Sequence, residues 1–349
     1  MEERIRNYGI DLLKIFAMIM VVMLHIMGRG GVTAACAQDS HSLKYAIEQV
    51  LDTFCMCAVN CFVLATGYIM SRHEFKYSRI FKLWVEVVFY SICMTAIAAL
   101  FCPWVQITWR DWVKAVVPIA TNQYWFVTMY VALFFTIPFL NHLLRTLDKK
   151  NLVRLLVTGF ILLSLYPAIA GRDLFATHGG YSYLWFMYLY LVAGAIALYA
   201  DKIDDKVNVL MGGGIILPII SLALQVVSAR LSKMMGISVG HWVSYSSPGV
   251  FLLSVVLLLM NSKIKIDSGI VTRIISLVAP SVFSVYLLHD NPLFRRLVRW
   301  EGRFAPLADL SVLGMVACIV GYATLIFVSC VLIDILRHLT IRRLHLAQT

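Results

Sequence analysis

Long apolar blocks separated by short polar breaks make up most of this chain. Runs near 10–27, 46–70, 80–102, 124–144, 152–170, 182–200, 208–228, 245–261, 274–291 and 311–336 are each long enough to cross the roughly 30 Å hydrocarbon core of a bilayer as a helix. No water reaches the backbone there, so such runs satisfy their own peptide groups by coiling. Turn and breaker residues fall between them at Gly28 to Gly31, Pro103, Gly171, Gly179-Gly180, Asp204-Asp205, Gly236 to Gly240 and Pro306. The pattern predicts an all-α fold, a polytopic membrane bundle of about ten transmembrane helices.

Composition agrees: 60% of residues are apolar and 14% charged, a balance that a water-soluble core cannot absorb. Residues 1–349 read as a single integral-membrane domain with no appended soluble domain. Arg4 and Arg6 precede the first run and no small-residue cleavage site follows it, so it reads as an uncleaved span. The net charge of +11 does not point to nucleic acid, because most Lys and Arg sit in short loops, where they set topology. With the N-terminus inside, Arg72, Lys76, Arg79, Lys82, Lys149, Lys150, Lys202, Lys206, Lys263, Lys265 and Arg337 fall on the cytoplasmic side. Fewer basic residues fall outside, which predicts both termini in the cytoplasm. Arg295, Arg296, Arg299 and Arg303 lie outside against that rule, at spacings that would give a basic stripe on a short helix. Such a stripe suits an anionic acceptor or lipid headgroups. Cys55-x-Cys57 has no second Cys/His pair at zinc spacing, so no metal is expected and the thiols read as buried and inert.

This topology gathers chemistry at two depths. His25 ends the first span on the outer side, and His289 ends the ninth on the same side, followed by Asp290 and Asn291. The fourth span runs inward, so Asn122, Tyr124 and Trp125 open it at that depth too. An imidazole can take a proton from a hydroxyl near neutral pH, and amides and an indole can orient a sugar or other hydroxyl acceptor. Each residue alone also fits an interfacial belt. On the inner side, Arg72 to Lys82 is the densest basic segment, with Arg79 and Lys82 on one helical face. It either anchors the loop or clamps a phosphorylated cytosolic ligand. Asp11 and Lys14, three residues apart in the first span, form an ion pair or line a cavity.

Five segments resemble the acyltransferase-3 family of ten-span bacterial membrane O-acyltransferases. They are Tyr8-Gly9-Ile10-Asp11-Leu12-Leu13-Lys14 with His25, then Leu64-Ala65-Thr66-Gly67-Tyr68, Arg79-x-x-Lys82, Tyr124-Trp125-Phe126 with Tyr130, and Tyr286-Leu287-Leu288-His289. They run in family order from residue 8 to about 292. The resemblance implies transfer of an acyl group, usually acetyl, from cytosolic acyl-CoA to a hydroxyl of an extracytoplasmic glycan or lipid-linked acceptor. It implies His25 as the catalytic histidine, with Lys14, Arg79 and Lys82 at the CoA side. Lys stands at residues 14 and 82 where the family has Arg, keeping charge but losing the fork geometry. Many members carry an extracytoplasmic hydrolase-like domain, so this chain is expected to act alone or with a separate partner.

The combined expectation has acetyl-CoA phosphates held by Arg72, Lys76, Arg79, Lys82 and Lys14, and His25 as general base, with His289 and Trp125 completing the catalytic group. Asp11, Asn122, Tyr124, Tyr130, Tyr286 and Asp290 complete the substrate site. Lys14 and His25 are about 16 Å apart along a helix, comparable to an extended pantetheine arm. Expected partners are acyl-CoA, the acceptor and membrane lipids, with homo-oligomerisation left open, in a bacterial cytoplasmic membrane. The rival reading is a transporter or flippase of a glycan or lipid precursor, with a histidine proton relay and polar Asn60, Asp11 and Lys14 along its path. Against it, no paired Gly/Pro-broken spans appear.

Overall fold

The computed structural model describes residues 6–199, 216–235 and 240–346, where eight helical stretches, three of them joining adjacent helices (Leu43–Met70, Lys149–Ala170 and Gly269–His289), are long and apolar enough to cross a bilayer. Along the chain the helices are α1 (Tyr8–Met27), α2 (Val32–Cys36), α3 (Leu43–Cys55), α4 (Cys57–Met70), α5 (Ser78–Phe101), α6 (Trp109–Val116), α7 (Trp125–Thr146), α8 (Lys149–Phe160), α9 (Tyr166–Ala170), α10 (Tyr183–Tyr199), α11 (Ile216–Met235), α12 (Pro248–Lys263), α13 (Gly269–Val278), α14 (Val282–His289), α15 (Pro292–Leu297) and α16 (Val312–Leu346). No strand occurs among the described residues. The chain is an all-α, polytopic membrane protein.

Every expected span falls on helix, with differences that have local causes. The runs at 182–200 and 245–261 become α10, of 17 residues, and α12, of 16. At 1.5 Å per residue the 16 residues of α12 are about 24 Å long, shorter than a full crossing, while α10 is described as far as Tyr199. α12 starts late because the serines before Pro248 close a turn, with Ser247 Oγ donating to the Ser244 carbonyl at 2.9 Å. The run at 46–70 breaks at Met56, between α3 and α4, one turn after Thr53 donates its hydroxyl back to the Gln49 carbonyl at 2.7 Å. Between α8 and α9 the chain widens into a π segment, Ile161–Leu165, ahead of Pro167, whose ring cannot sit in an unaltered turn. Arg4, Lys202, Lys206, the breaks at Asp204-Asp205 and Gly236, and the start of the 208–228 run lie outside the described residues.

The chain forms two units. The first comprises Met1–Ala17, Gln49–Tyr77 and Trp125–Lys265; the second comprises Met18–Glu48, Ser78–Tyr124 and Ile266–Thr349. Helices α1 and α3 each contribute to both. In the first unit α10 packs against α4, α7 and α8, and α12 packs against α4 and α11. The α4–α10 approach is close because Gly67 has no side chain: a Cβ there would come 2.7 Å from the Tyr190 carbonyl oxygen and 2.9 Å from Ala193 Cβ. Buried amides brace the same helices. Asn60 donates to the Tyr245 carbonyl at 2.7 Å and accepts from Trp185 Nε1 at 3.0 Å; Asn141 donates to the Met70 carbonyl at 3.2 Å and accepts from Tyr190 at 2.7 Å.

In the second unit α14 packs against α16 and α5, and α6 and α15 also lie on α5. A buried ionic network ties these helices together. Asp334 on α16 is fully buried and takes the Tyr90 hydroxyl and the Arg337 guanidinium, which also reaches Glu86 at 3.4 Å. Glu86 in turn accepts from Ser284 of α14 at 2.7 Å. Charges in an apolar surround persist only when paired in this way.

Gly67→Ala is expected to cost about 1–3 kcal/mol, since the clash is with backbone and cannot relax through a rotamer. Gly321→Ala, where a Cβ meets nothing within 4 Å, should leave stability unchanged or improve it by up to about 1 kcal/mol through helix propensity. Thermal unfolding of the two variants in detergent separates these outcomes.

Candidate active site

The C-terminal end of α1 is held by a distant segment. The His25 carbonyl accepts from Gly30 N at 2.9 Å and from the indole of Trp300, itself 2% exposed, at 3.0 Å. Gly302 N donates to the Arg29 carbonyl at 3.0 Å and Phe304 N to the Gly30 carbonyl at 2.8 Å, so residues 300–304 lie alongside the turn that ends the helix. Gly31 closes that turn at φ +92°, a region that favours glycine. The ring of His25 is therefore carried on an anchored helix end rather than a free one.

His289, the last residue of α14, meets it. His25 Nδ1 and His289 Nε2 are 2.9 Å apart, and His289 Nδ1 lies 2.6 Å from the Val285 carbonyl one turn earlier. A carbonyl oxygen only accepts, so His289 carries its proton on Nδ1 and donates it there. In the neutral pair His289 Nε2 is then an acceptor, and His25 must donate from Nδ1. The lone pair of His25 is left on Nε2, which has no protein partner among the described residues. His289 is 1% exposed, whereas the His25 side chain keeps 19% of its surface. The pair thus has one locked ring and one presented ring.

Asp290 strengthens that assignment. Its Oδ1 lies 3.8 Å from His25 Nδ1, on the side where a proton is required. The carboxylate is also paired with Arg29 and, at 3.7 Å, with Arg295. Burial opposes its ionisation, but His25, Arg29, His289 and Arg295 together outweigh burial and hold it below the usual carboxylate range. Behind it, Asn291 caps α15 by accepting from Leu293 N and Phe294 N, and donates to the Tyr124 hydroxyl at 2.6 Å. Tyr124 donates on to the Leu287 carbonyl at 3.1 Å, and burial pushes its phenol pKa up. The Tyr286 ring sits 5.8 Å from that of Tyr124 and 6.3 Å from that of His289. Histidine, carboxylate and phenols from three stretches of sequence converge on one helix end.

The other expected residues fall elsewhere. Asn122 is exposed at φ 50° in the turn before Tyr124. Trp125 and Tyr130 belong to the first unit, where Trp125 lies against Tyr181 and Tyr245, and Tyr130 shares a 2.6 Å hydrogen bond with Thr66. At the other end of α1 from His25, Asp11 takes Arg6 at 2.6 Å and Lys14 at 3.5 Å. Arg72 caps the end of α10 through the Ala197 carbonyl and lies over the Tyr68 ring, while Lys76 is exposed nearby in sequence. Arg79 and Lys82 share the first turn of α5 in the second unit, with Arg79 half-buried and Lys82 exposed.

The outer arginines do not form the expected stripe. Helix α15 is only six residues long. Arg295 turns toward Asp290, Arg296 pairs with Asp111 at 3.7 Å, Arg299 adopts φ 48°, and Arg303 donates to the Val298 carbonyl. Asn60, one of the polar groups a transport path would use, is consumed by its two braces. Residue patterns had not singled out Arg29 or Trp300 as site residues. The signals available were the four-residue step from His25 to Arg29 and a lone Trp among the outer arginines.

A family model described as an acyltransferase domain matches residues 7–334, nearly the whole chain. The chain belongs to the acyltransferase-3 family. No curated protein and no solved structure gave a match. As an acyltransferase-3 member the protein is a multi-pass membrane acyltransferase.

Asp290→Asn should destabilise this acyltransferase by roughly 2 kcal/mol, less than the about 3–5 kcal/mol of a fully enclosed pair because the Arg29 side chain is 38% exposed. A carboxyl held below its ordinary 3.8 contributes fully above that value and loses its contribution as pH falls through the lower folded value. The gap between wild type and variant in denaturant unfolding should therefore be flat from about pH 5 to 8 and shrink below about pH 4.

Proposed function

We propose that this acyltransferase moves an acetyl group from cytosolic acetyl-CoA to a hydroxyl of an extracytoplasmic glycan or lipid-linked acceptor in a bacterial cytoplasmic membrane, with His25 as general base. What supports the reading is the 2.9 Å contact between His25 and His289, because the Val285 carbonyl behind it leaves the His25 Nε2 lone pair facing outward from the dyad. The acceptor hydroxyl gives its proton to Nε2 as its oxygen bonds to the thioester carbonyl carbon. When the tetrahedral intermediate collapses, the carbon–sulfur bond breaks and the imidazolium returns the proton to the departing thiolate. Asp290 balances the transient cation on His25, the role a carboxylate takes behind a catalytic histidine in hydrolases.

On this reading ten crossings place both termini in the cytoplasm, with Lys14, Arg72, Lys76, Arg79 and Lys82 facing the CoA phosphates and the His25 end of α1 facing the acceptor. Asp11 orients Lys14 through their 3.5 Å contact.

His25→Ala is expected to lower transfer from radiolabelled acetyl-CoA to membrane acceptors by about 10²–10⁴-fold, the usual worth of a positioned base. His289→Ala acts through His25 and should cost less, with a changed pH–rate profile where an indirect packing defect would leave the profile unmoved. Full activity of His25→Ala would overturn the assignment.

A further inference from the structure

The apolar interior of the second unit holds two carboxylates and a guanidinium that the proton transfer at His25 does not use. Glu86 on α5 accepts from Ser284 of α14 at 2.7 Å, and Arg337 of α16 reaches it at 3.4 Å. Arg337 also donates from Nε to Asp334 at 2.8 Å and lies over the Tyr90 ring, 5.2 Å from its centroid. The Tyr90 hydroxyl donates to the same carboxylate, and Ser284 and Asp334 are both fully buried. Stability alone does not account for such a set, because replacing a buried ionic cluster by well-packed apolar residues is often neutral or stabilising. What the cluster controls is the position of a helix.

That helix is α14, which carries half of the histidine pair. His289 is its last residue, and the Val285 carbonyl that takes the His289 Nδ1 proton is next in sequence to Ser284. Upstream, the 3₁₀ turn Ala279–Ser281, with Pro280 in it, separates α14 from α13. Proline supplies no backbone donor and a 3₁₀ turn inside a helix is a common hinge, so α13 alone does not fix the rotation of α14. Downstream, Tyr124 holds α14 at the Leu287 carbonyl. One hold leaves eight residues free to swivel, because contacts among valines and leucines carry little direction in an apolar surround. A swivel of about 20° moves a ring about 6 Å from the helix axis by about 2 Å. That parts the 2.9 Å contact between His289 and His25. The bond from Ser284 to Glu86 is a second hold, on the first turn of the helix.

We propose that Glu86 is a positioning residue for the acyl transfer: through Ser284 it fixes the rotation of α14, and with it the His289 ring that decides which nitrogen of His25 carries the lone pair. Asp334 and Tyr90 hold Arg337, and Arg337 holds the Glu86 carboxylate, so the clasp joins α5, α14 and α16. Neither Glu86 nor Ser284 touches a reacting atom; both act through His289. The proposal rests on the general-base reading above for the reaction served, while the hold on His289 is measurable without turnover.

The test follows transfer from radiolabelled acetyl-CoA in membranes carrying the full chain, across pH and acetyl-CoA concentration. In parallel, NMR of isotope-labelled histidine nitrogens in the purified chain reports where the His289 proton sits. Ser284→Ala, which removes one buried hydroxyl, should lower kcat by about 10–100-fold, since a misplacement of about 1 Å costs up to about 10²-fold. It should leave KM for acetyl-CoA within about twofold, move the pH–rate profile and displace the His289 Nδ1 signal. Glu86→Gln, isosteric and still able to accept from Ser284, should keep kcat within about threefold of wild type and the signal in place. An unchanged kcat and spectrum in Ser284→Ala overturn the positioning role, and a His25-dependent rate then leaves the base reading standing. A lowered melting temperature with an unmoved pH profile and His289 signal also overturns it, as the mark of a purely structural bond. A displaced His289 signal alongside full activity of His25→Ala supports the hold on His289 and sinks the base reading alone.

Discussion

One hydrogen bond between two imidazoles organises the second unit. A histidine ring can serve as acid or base through either nitrogen, and which one is available depends on what the other touches. Here the choice is made in steps: the Val285 carbonyl fixes His289, His289 fixes His25, and Asp290 reinforces the second step from the side. Each partner is placed by something further out. Arg29 and Arg295 hold the carboxylate, Asn291 and Tyr124 set the start of α15 against α14, and the Trp300 indole pins the carbonyl of His25 itself. The proton positions of the pair are a property of this chain of contacts more than of a single residue.

The same economy governs polar groups throughout the apolar interior. Asp334 with Tyr90 and Arg337, Asp11 with Arg6 and Lys14, Asn60 with Trp185 and the Tyr245 carbonyl, and Asn141 with Tyr190 all join separate turns or helices. Between helices in lipid, apolar contact gives little direction, because the tails are as apolar as leucine. Directional bonds and close approaches at small residues such as Gly67 select one packing from many. That explains why so few polar side chains in a chain with 14% charge are idle near the core.

The sequence pattern carried the helices well because apolar length is a direct constraint of the bilayer, and all ten expected runs meet helix. It carried the histidine pair because both residues ended runs on one inferred side. It did not carry the interruptions at Met56 and at Ile161–Leu165, the latter just ahead of Pro167, because both are too local for hydropathy to register. Nor did spacing reveal the fate of the outer arginines. A stripe at steps of three and four presumes a continuous helix, and the left-handed turn at Arg299 ends that premise. Arg295 reads as a surface charge until Asp290 is seen to face it. Membership in the acyltransferase-3 family supplies the activity, and the geometry around His25 supplies the reason these residues suit it.

The 264-residue separation between the two imidazoles has a consequence for biosynthesis. The first of them enters the membrane early, long before the ribosome reaches the second, and at about 5–20 residues per second the wait is roughly 13–53 s. The indole that pins the helix end is translated later still. Until then the nascent bundle carries its first helix with His25 unpaired, so the proposed general base is assembled only when nearly all of the chain is in the bilayer.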